Sequence, residues 1–245
     1  MPSAPAADQI RLLDVQDLDL RAQQARHRRA HLPMLDQIAE LESRLKDLDE
    51  ARVASATKAS DLRRAVQKAE DDVQVVRDRA ARDNARLESG TGTSKDLQAL
   101  QAELEVLARR QSALEDIELE AMEALEQAEA EHASAKEQVD AIAAQIADLA
   151  GERDAAWNQI DGELVSLSAD REAALAGLDA GLVALYERLR DSHGGIGAAA
   201  LQGGQCLGCR MSLNPADLRD IEGKAADAIV RCEECGRILV RGAGA

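Results

Sequence analysis

Apolar residues recur in two interleaved series of seven-residue steps between Met34 and Leu87. One series is Ile38, Leu45, Arg52, Ala59, Val66, Val73, Ala80 and Leu87, and the other is Leu41, Leu48, Ser55, Leu62, Ala69, Val76 and Asp83. Two mostly apolar positions per heptad, kept over about seven heptads, are typical of an α-helix that packs in a coiled coil. The pattern predicts a long helix over residues 34–88.

A turn interrupts this pattern at residues 89–94, and a second run of heptads follows it. The turn contains two glycines, and Thr93 or Ser94 is suited to cap the next helix. The helical pattern then continues to about residue 191. Because two long helices joined by a short turn run antiparallel, we predict a coiled-coil hairpin of residues 34–88 and 95–191.

A shorter helix is predicted before the hairpin, over residues 8–32, because its apolar positions keep the same heptad phase. Pro33 predicts a kink between this helix and the next. The N-terminal helix is expected to cover the part of the long second helix that extends beyond the hairpin, including Trp157. Glycines and a one-residue slip of the apolar seam predict bends between residues 151 and 181.

The composition favours elongated helices over a globular enzyme. Of 245 residues, one is Trp, one is Tyr and none is Phe, whereas 31% are charged. A compact domain of this length normally buries several aromatic side chains, whereas a coiled coil buries only a stripe of aliphatic ones. We therefore predict a mainly α fold.

The formal net charge is −16, from 30 Lys and Arg against 46 Asp and Glu. This balance argues against broad contact with nucleic acid or an anionic membrane along most of the surface. The sequence has no run of 18 apolar residues, and its first ten residues lack the basic and apolar regions of a signal peptide. We expect a cytoplasmic protein with no membrane contact.

The four cysteines form two CxxC pairs, Cys206 with Cys209 and Cys232 with Cys235, separated by 22 residues. Two such pairs supply four thiolates, each about 2.3 Å from a tetrahedral Zn²⁺, and this closed shell makes the site structural rather than catalytic. The alternative is a redox dithiol. It is disfavoured because one redox centre needs no second pair and no βαβ pattern surrounds either pair. We predict one structural Zn²⁺ per chain, held by all four cysteines.

Proline and glycine mark a domain boundary near residue 194. No proline lies between Pro33 and Pro215, whereas ten of the 16 glycines lie from Gly194 onward. The predicted domains are therefore a helical region, residues 1–193, and a zinc ribbon, residues 194–245. With about 50 residues and few large apolar side chains, the ribbon is expected to need its metal to fold. Loss of the metal is expected to leave the helices intact.

These features together resemble a family of bacterial coiled-coil proteins with a C-terminal C4-type zinc ribbon. The most specific part is the CxxC…CxxCGRIL pattern of residues 206–239, and the Lys-Asp-Leu-Gln-Ala-Leu-Gln-Ala-Glu sequence after the turn adds to it. The resemblance covers nearly the whole chain, and it implies a C4 ribbon on an elongated hairpin with the four cysteines as ligands. Some family members are adaptors that bind an alternative sigma factor or secretion and flagellar components, and one group is linked to flagellar messenger RNA. No residue of this sequence identifies any of those partners.

The ribbon is the least repulsive surface for a nucleic acid. Residues 195–245 contain six basic and six acidic side chains, so the negative charge lies in the helical region. Four arginines near the cysteines are candidate phosphate contacts: Arg210, Arg231, Arg237 and Arg241. A plain solvated role is an equal alternative, because the ribbon lacks an aromatic side chain on which a base could stack.

The expected function is a non-enzymatic adaptor or scaffold. Its hairpin would present surfaces to protein partners, and its ribbon would dock a protein or a nucleic acid. We expect no enzyme activity and no small-molecule substrate, because the sequence has no P-loop and no Ser, His and Asp grouping. Gly203-Gly204-Gln205 matches the catalytic tripeptide of peptide-release factors, but its place directly before Cys206 favours a structural turn. The alternative function is an RNA- or DNA-binding protein whose ribbon is the primary reader.

Overall fold

The computed structural model describes residues 3–242 as long helices followed by a small sheet. The helices are α1 (Ala6–Ala30), α2 (Pro33–Glu88), α3 (Ser94–Leu175), α4 (Ala180–Ser192) and α5 (Pro215–Gly223). The strands are β1 (Ala198–Gln202), β2 (Gln205–Cys206), β3 (Val230–Arg231) and β4 (Ile238–Val240). The predicted mainly α fold with a hairpin and a small C-terminal ribbon is confirmed. The outermost residues of the two predicted domains, 1–2 and 243–245, lie outside the described residues.

The chain divides into two compact units, and the division differs from the predicted domains. One unit combines Met1–Leu35 with Gly151–Ala245, and the other is Asp36–Ala150. The predicted boundary at residues 193 and 194 therefore does not separate compact units. The physical reason is that α1 and α4 pack directly on the sheet of the ribbon. Among residues 3–242, no helix is long and apolar enough to cross a membrane.

In the unit of residues 36–150, α2 and the first part of α3 form an antiparallel pair with an aliphatic seam. The buried apolar side chains of this seam are Ile38, Ala59, Ala69, Val73, Val76, Leu107, Ala128 and Ile142. Ion pairs cross between the two helices beside the seam: Lys58–Glu131, Arg63–Glu129, Arg77–Glu115 and Arg79–Glu103. From the first of these ion pairs to the last, the residue on α2 and its partner on α3 both lie closer to the turn. This is the arrangement expected of two antiparallel helices. Water and salt screen exposed ion pairs of this kind, so most of the stability comes from the seam.

The turn between α2 and α3 ends in a reciprocal helix cap. The Asp96 N–H lies 3.3 Å from the Thr93 hydroxyl oxygen, and the Thr93 N–H donates to the Asp96 carboxylate at 2.9 Å. The pattern is that of a capping box, which satisfies two N–H groups at the start of a helix. Of the two cap candidates in the sequence, the structure uses Thr93, and α3 begins at Ser94.

In the other unit, α1 packs along the end of α3. The Trp157 indole N–H donates to the Arg29 carbonyl at 3.1 Å. The guanidinium groups of Arg29 and Arg153 lie 4.7 and 4.8 Å from the centre of its ring. The helix before Pro33 thus covers Trp157, in agreement with the expectation from sequence.

The second helix of the predicted hairpin, residues 95–191, is interrupted. It ends at Leu175 and a new helix begins at Ala180, with Gly177 at φ +77 in the turn between them. A positive φ is strained for residues with a side chain, so glycine suits this position. The break lies within residues 151–181, where the glycines and the slip of the apolar seam predicted bends, but the sequence did not predict that the helix ends there.

Side chains of α1 stabilise the turn between α3 and α4. The Arg11 guanidinium donates to the carbonyls of Ala174 and Ala176 at 3.1 and 2.9 Å. The Asp8 carboxylate accepts from the N–H of Asp179 at 3.0 Å. A cation thus meets the carbonyl end of α3 and an anion meets the amide end of α4, which is the favourable sense for both helix dipoles.

The sheet has the strand order β2-β1-β4-β3, with β1 parallel to β4 and the outer pairs antiparallel. Successive side chains of a strand point to opposite faces. Ala198, Ile238 and Val240 pack with Leu12, Val15, Leu182, Tyr186 and Leu189 of α1 and α4. Ala199 and Leu239 face the other way, toward the cysteines and Ile221 of α5. The sheet is therefore covered by helices on one face and by the cysteine cluster on the other.

Gln16 of α1 connects that helix to the first strand. Its side-chain oxygen accepts from the N–H groups of Gly197 and Ala198 at 2.7 and 3.2 Å, and its side-chain NH₂ donates to the Gly195 carbonyl at 3.0 Å. Gln16 is 5% exposed, so these bonds satisfy a buried amide. The start of the ribbon is thus hydrogen-bonded to α1.

Asp19 of α1 is the centre of a second polar cluster. It accepts from the Tyr186 hydroxyl at 2.7 Å, from Arg171 at 2.7 Å and from Arg190 at 3.2 Å. Burial raises the pKa of the Asp19 carboxyl, but the hydrogen bonds and charges of Arg171, Tyr186 and Arg190 outweigh burial and lower it below its ordinary value of 3.8. Burial and the Asp19 charge raise the pKa of Tyr186, so its hydroxyl stays a donor.

We predict that Asp19→Asn lowers the free energy of unfolding of the unit containing α1 by about 2–3 kcal/mol at neutral pH, because hydrogen bonds to a charged group are lost. The pKa of Asp19 is depressed in the folded state, so its stabilisation is full above its ordinary pKa of 3.8 and disappears as the pH falls through the lower folded value. Urea unfolding followed by Trp157 fluorescence from pH 7 to pH 2 measures the difference. Exposed Asp17 provides the control Asp17→Asn, which should change little. If the loss of unfolding free energy caused by Asp19→Asn did not decrease toward pH 2, the stabilising role of the ionised Asp19 carboxylate would be contradicted.

Candidate metal centre

The structure brings the four predicted ligands into one cluster. The sulfur atoms of Cys206, Cys209, Cys232 and Cys235 all lie within 4.8 Å of one another. The Cys206 and Cys235 sulfurs are 3.9 Å apart, and so are those of Cys209 and Cys232. Four sulfurs placed tetrahedrally at about 2.3 Å from Zn²⁺ are about 3.8 Å apart. The separations therefore suit a shared tetrahedral metal, and they are far longer than a disulfide of about 2.05 Å.

The first pair lies on a knuckle that follows β2. The carbonyl of Cys206 accepts from the N–H of Arg210 at 2.7 Å, and the N–H of Cys206 donates to the Met211 carbonyl at 3.1 Å. Arg210 has φ +60, and it is the one residue other than glycine with a positive φ in the described chain. The knuckle thus requires a left-handed residue directly after its second cysteine.

The second knuckle repeats this arrangement with glycine in the left-handed position. The carbonyl of Cys232 accepts from the N–H of Gly236 at 2.8 Å, the N–H of Cys232 donates to the Arg237 carbonyl at 2.9 Å, and Gly236 has φ +72. Gly236 is free of the side-chain penalty that Arg210 carries at the equivalent place. The two knuckles therefore share the same backbone hydrogen bonds, but only the first has a residue with a side chain in the strained left-handed conformation.

Gly208, inside the first knuckle, is required by close packing rather than by its φ. A Cβ atom there would lie 2.9 Å from the Cβ of Ala199 and 3.0 Å from the Cδ of Arg237. Ala199 belongs to β1, so the absent side chain lets the knuckle lie directly on the sheet. This contact holds the first knuckle against β1 and against Arg237 of the second knuckle.

The thiols differ in their surroundings. Burial raises the pKa of Cys206, and it raises that of Cys232 to about 12. Burial also acts to raise the pKa of Cys235, but hydrogen bonds from the backbone and guanidinium of Arg237 outweigh it and lower the pKa to about 7. Cys209 is partly exposed. All four are free thiols with sulfur donors of the kind that Zn²⁺ prefers in structural sites.

The four candidate phosphate contacts have different surroundings. Arg241 donates to five backbone carbonyls, those of Ile221, Lys224, Ala225, Ala226 and Ala228. Arg237 donates to the carbonyls of Ile196 and His193 at 2.9 and 3.0 Å. Arg231 donates through Nε to the Gly236 carbonyl at 2.7 Å and is otherwise exposed, and the Arg210 side chain is exposed. Three of the four guanidinium groups therefore bond to the backbone, and two of them, those of Arg237 and Arg241, do so through several hydrogen bonds.

Several residues that build the site were not singled out from the sequence. Gln16 and Asp19 join elements that are distant in the chain, and periodicity carries no signal for such contacts. Arg241 was a candidate phosphate contact, but its hydrogen bonds to backbone carbonyls were not expected. Tyr186 offered a clue, because it is the one Tyr of the chain and it is fully buried. The Gly203-Gly204-Gln205 tripeptide forms the turn from β1 into β2, with both glycines at positive φ, as expected for a structural turn.

The hairpin, the sheet and the cysteine cluster together define a coiled-coil protein with a C4-type zinc ribbon. A family profile described as a C4-type zinc ribbon domain matches residues 205–239. A second profile, described as a CT398-like coiled coil hairpin domain, matches residues 15–194. The chain belongs to this CT398-like hairpin family, which confirms the resemblance seen in the sequence.

Similar proteins match over nearly the whole chain. A protein of Mycobacterium tuberculosis with the name "uncharacterized protein" is 36% identical over 238 residues, covering 97% of each chain. A solved structure from Mycobacterium smegmatis has 32% identity and a TM-score of 0.86, covering 98% of this chain and 100% of that one. The structure of CT398 from Chlamydia trachomatis has 19% identity and a TM-score of 0.68, covering 96% and 98%, and supports the fold alone.

We predict opposite effects of substitution at the two left-handed knuckle positions. Gly236→Ala should destabilise the ribbon by about 1–2 kcal/mol, whereas Arg210→Gly should stabilise it by up to about 1 kcal/mol because it relieves the same strain. Hydrogen exchange of the β1 and β4 amides measures both changes. Gly223→Ala is the matched control, since Gly223 has no positive φ and open space around it. Equal effects of Gly236→Ala and Gly223→Ala would contradict the assignment.

Proposed function

We propose that this chain is a non-enzymatic adaptor whose ribbon, ordered by one structural Zn²⁺, docks a protein partner. The observation that carries the proposal is an exposed apolar pair on the first knuckle. Leu207 is 47% exposed and Met211 is 52% exposed. They flank Cys209 and Arg210 in the sequence, so metal coordination would fix the loop that presents them.

Zinc binding is supported by the donor set and its spacing. Four free thiols from two knuckles surround one point at separations that a tetrahedral ion requires, and residues 205–239 match a C4 zinc ribbon profile. Four thiolates fill the shell of one ion and leave no position for substrate, so the metal would have a structural role. Free thiols of this kind persist in a reducing compartment, which favours the cytoplasm.

An apolar pair on a rigid loop favours a protein partner. Leu207 and Met211 are exposed on one short loop, and methionine adapts to partner surfaces of different shape. A loop held by metal bonds loses little conformational entropy on binding, so more of the contact energy appears as affinity. The hairpin would supply further surfaces, since Val75 and Ile117 are 67% and 53% exposed.

The alternative is an RNA- or DNA-binding protein that reads its target with the ribbon. It is supported by Arg210 and Arg231, whose side chains are exposed beside the two knuckles. It is weakened by Arg237 and Arg241, because a phosphate would compete with the backbone carbonyls that these arginines already bind. The protein-docking proposal is therefore the stronger one.

We predict that Cys232→Ser, or removal of zinc with a chelator, unfolds the sheet and also loosens α1. One face of the sheet packs against the cysteine cluster and the other against α1 and α4. If the sheet unfolds, α1 therefore loses the surface against which it packs. Hydrogen exchange should show lost protection in residues 198–240 and in α1, with protection retained in residues 36–150. Ser212, outside the cluster, provides the control Ser212→Ala. Unchanged protection of β1 and β4 after complete metal removal would contradict the structural role.

We predict that Leu207→Ser combined with Met211→Ser abolishes capture of protein partners from nuclease-treated cells, while the zinc content stays at one ion per chain. Val165→Ser is the matched control, because Val165 is 72% exposed on α3. Arg210→Gln combined with Arg231→Gln tests the alternative. If the captured material were nucleic acid, and only the Arg210→Gln, Arg231→Gln variant failed to capture it, the proposal of protein docking would be refuted.

A further inference from the structure

A groove of about 380 Å³ lies between α1, the end of α3 and α4. Its lining includes Ala22 of α1 and Ser168 of α3, whose small side chains leave space between the two helices. Leu167 and Ala22 are buried and form apolar parts of its wall. The groove lies wholly within the unit that contains α1 and the sheet, and it does not include the cysteine cluster.

Three arginines from three different helices line this groove: Arg26 of α1, Arg171 of α3 and Arg190 of α4. Asp19 is the one carboxylate of the lining, and Glu187 pairs with Arg171 and Arg190 beside it. Arg190 also lies 3.4 Å from the exposed carboxylate of Asp191, so the three arginines meet three carboxylates, of which only Asp19 lines the groove.

These carboxylates do not use all the N–H donors of Arg171 and Arg190. Arg171 bonds to them through Nε and Nη2, which leaves Nη1. Arg190 bonds through Nη1 and Nη2, which leaves Nε. Arg26 is exposed and makes no hydrogen bond or ion pair within residues 3–242. Three arginines from three helices therefore line one groove, and each keeps at least one guanidinium nitrogen without a partner in the described residues.

Asp19 does not prevent an anion from binding there. Its two oxygens already accept from Tyr186, Arg171 and Arg190, so its charge is compensated by groups that stay in place. The same contacts hold Arg171 and Arg190 in fixed positions. Fixed guanidinium groups lose less entropy when they bind a ligand than free ones do.

We propose that this groove binds a small phosphate-class oxyanion. A tetrahedral phosphate presents several oxygens in different directions, so it can accept from three guanidinium groups at once, whereas a carboxylate has two coplanar oxygens. The groove volume is large enough for a phosphate that carries a small organic group. This activity goes beyond the adaptor function and does not depend on the ribbon docking a partner.

The unique tyrosine supplies a direct readout. Tyr186 donates to Asp19 in the wall of the groove, and the chain has no other Tyr, so ¹³C-tyrosine labelling of the full chain gives one residue's signals. Sodium phosphate is titrated at an ionic strength held constant with sodium chloride. We expect a saturable shift of the Tyr186 signal with phosphate and a weaker or absent shift with acetate.

Arg26→Gln is the decisive variant, because Arg26 is exposed and its loss leaves the Asp19 cluster intact. It should weaken phosphate binding at least about fivefold, as expected for loss of a charge-assisted hydrogen bond. Arg21→Gln on the same helix is the matched control and should bind as the unchanged chain does, since Arg21 pairs with Asp17 and does not line the groove. Absence of a saturable shift, or equal loss in both variants, would overturn the proposal. Unfolding midpoints of both variants confirm that the fold is kept.

Discussion

The ribbon depends on the burial of a very small sheet from both sides. Its four strands contain only twelve residues, which is too few to form a stable sheet in water without cover. One face is covered by apolar residues of α1 and α4. The other is covered by the cysteine cluster and α5. Neither cover alone is expected to stabilise the sheet, because each strand has apolar side chains on both faces.

This arrangement makes α1 part of the ribbon's structure rather than a neighbour of it. Gln16 bonds to the first residues of β1, and Asp19 bonds to Tyr186 beneath the same sheet. A change in the sheet is therefore felt at α1 through buried polar contacts, which tolerate little displacement. The proposed docking knuckle and the arginine groove lie in the same compact unit, so both depend on the packing of α1.

The sequence predicted those parts of the fold that local patterns encode. Heptads indicate which helix face is buried, and the spacing of the two CxxC pairs indicates four cysteines that meet at one point, so the hairpin and the cysteine cluster were both predicted. Heptads do not report which partner covers a face, and the packing of α1 on the sheet was missed for that reason. A bend was predicted between residues 151 and 181, but the full break before α4 was not, because Asp8 and Arg11 of another helix stabilise it.

The arginines show why charge counted along a sequence is a weak guide to binding. Arg11, Arg237 and Arg241 donate to backbone carbonyls at helix ends and in loops. The flat guanidinium has five N–H donors in a fixed fork, against three on a lysine ammonium, so it can satisfy more such carbonyls at once. These arginines belong to the interior hydrogen bonding of the fold although they count as basic residues in the sequence. A candidate anion site is better recognised by donors that the fold leaves unused, and that criterion selects Arg26 in the groove and Arg210 on the knuckle.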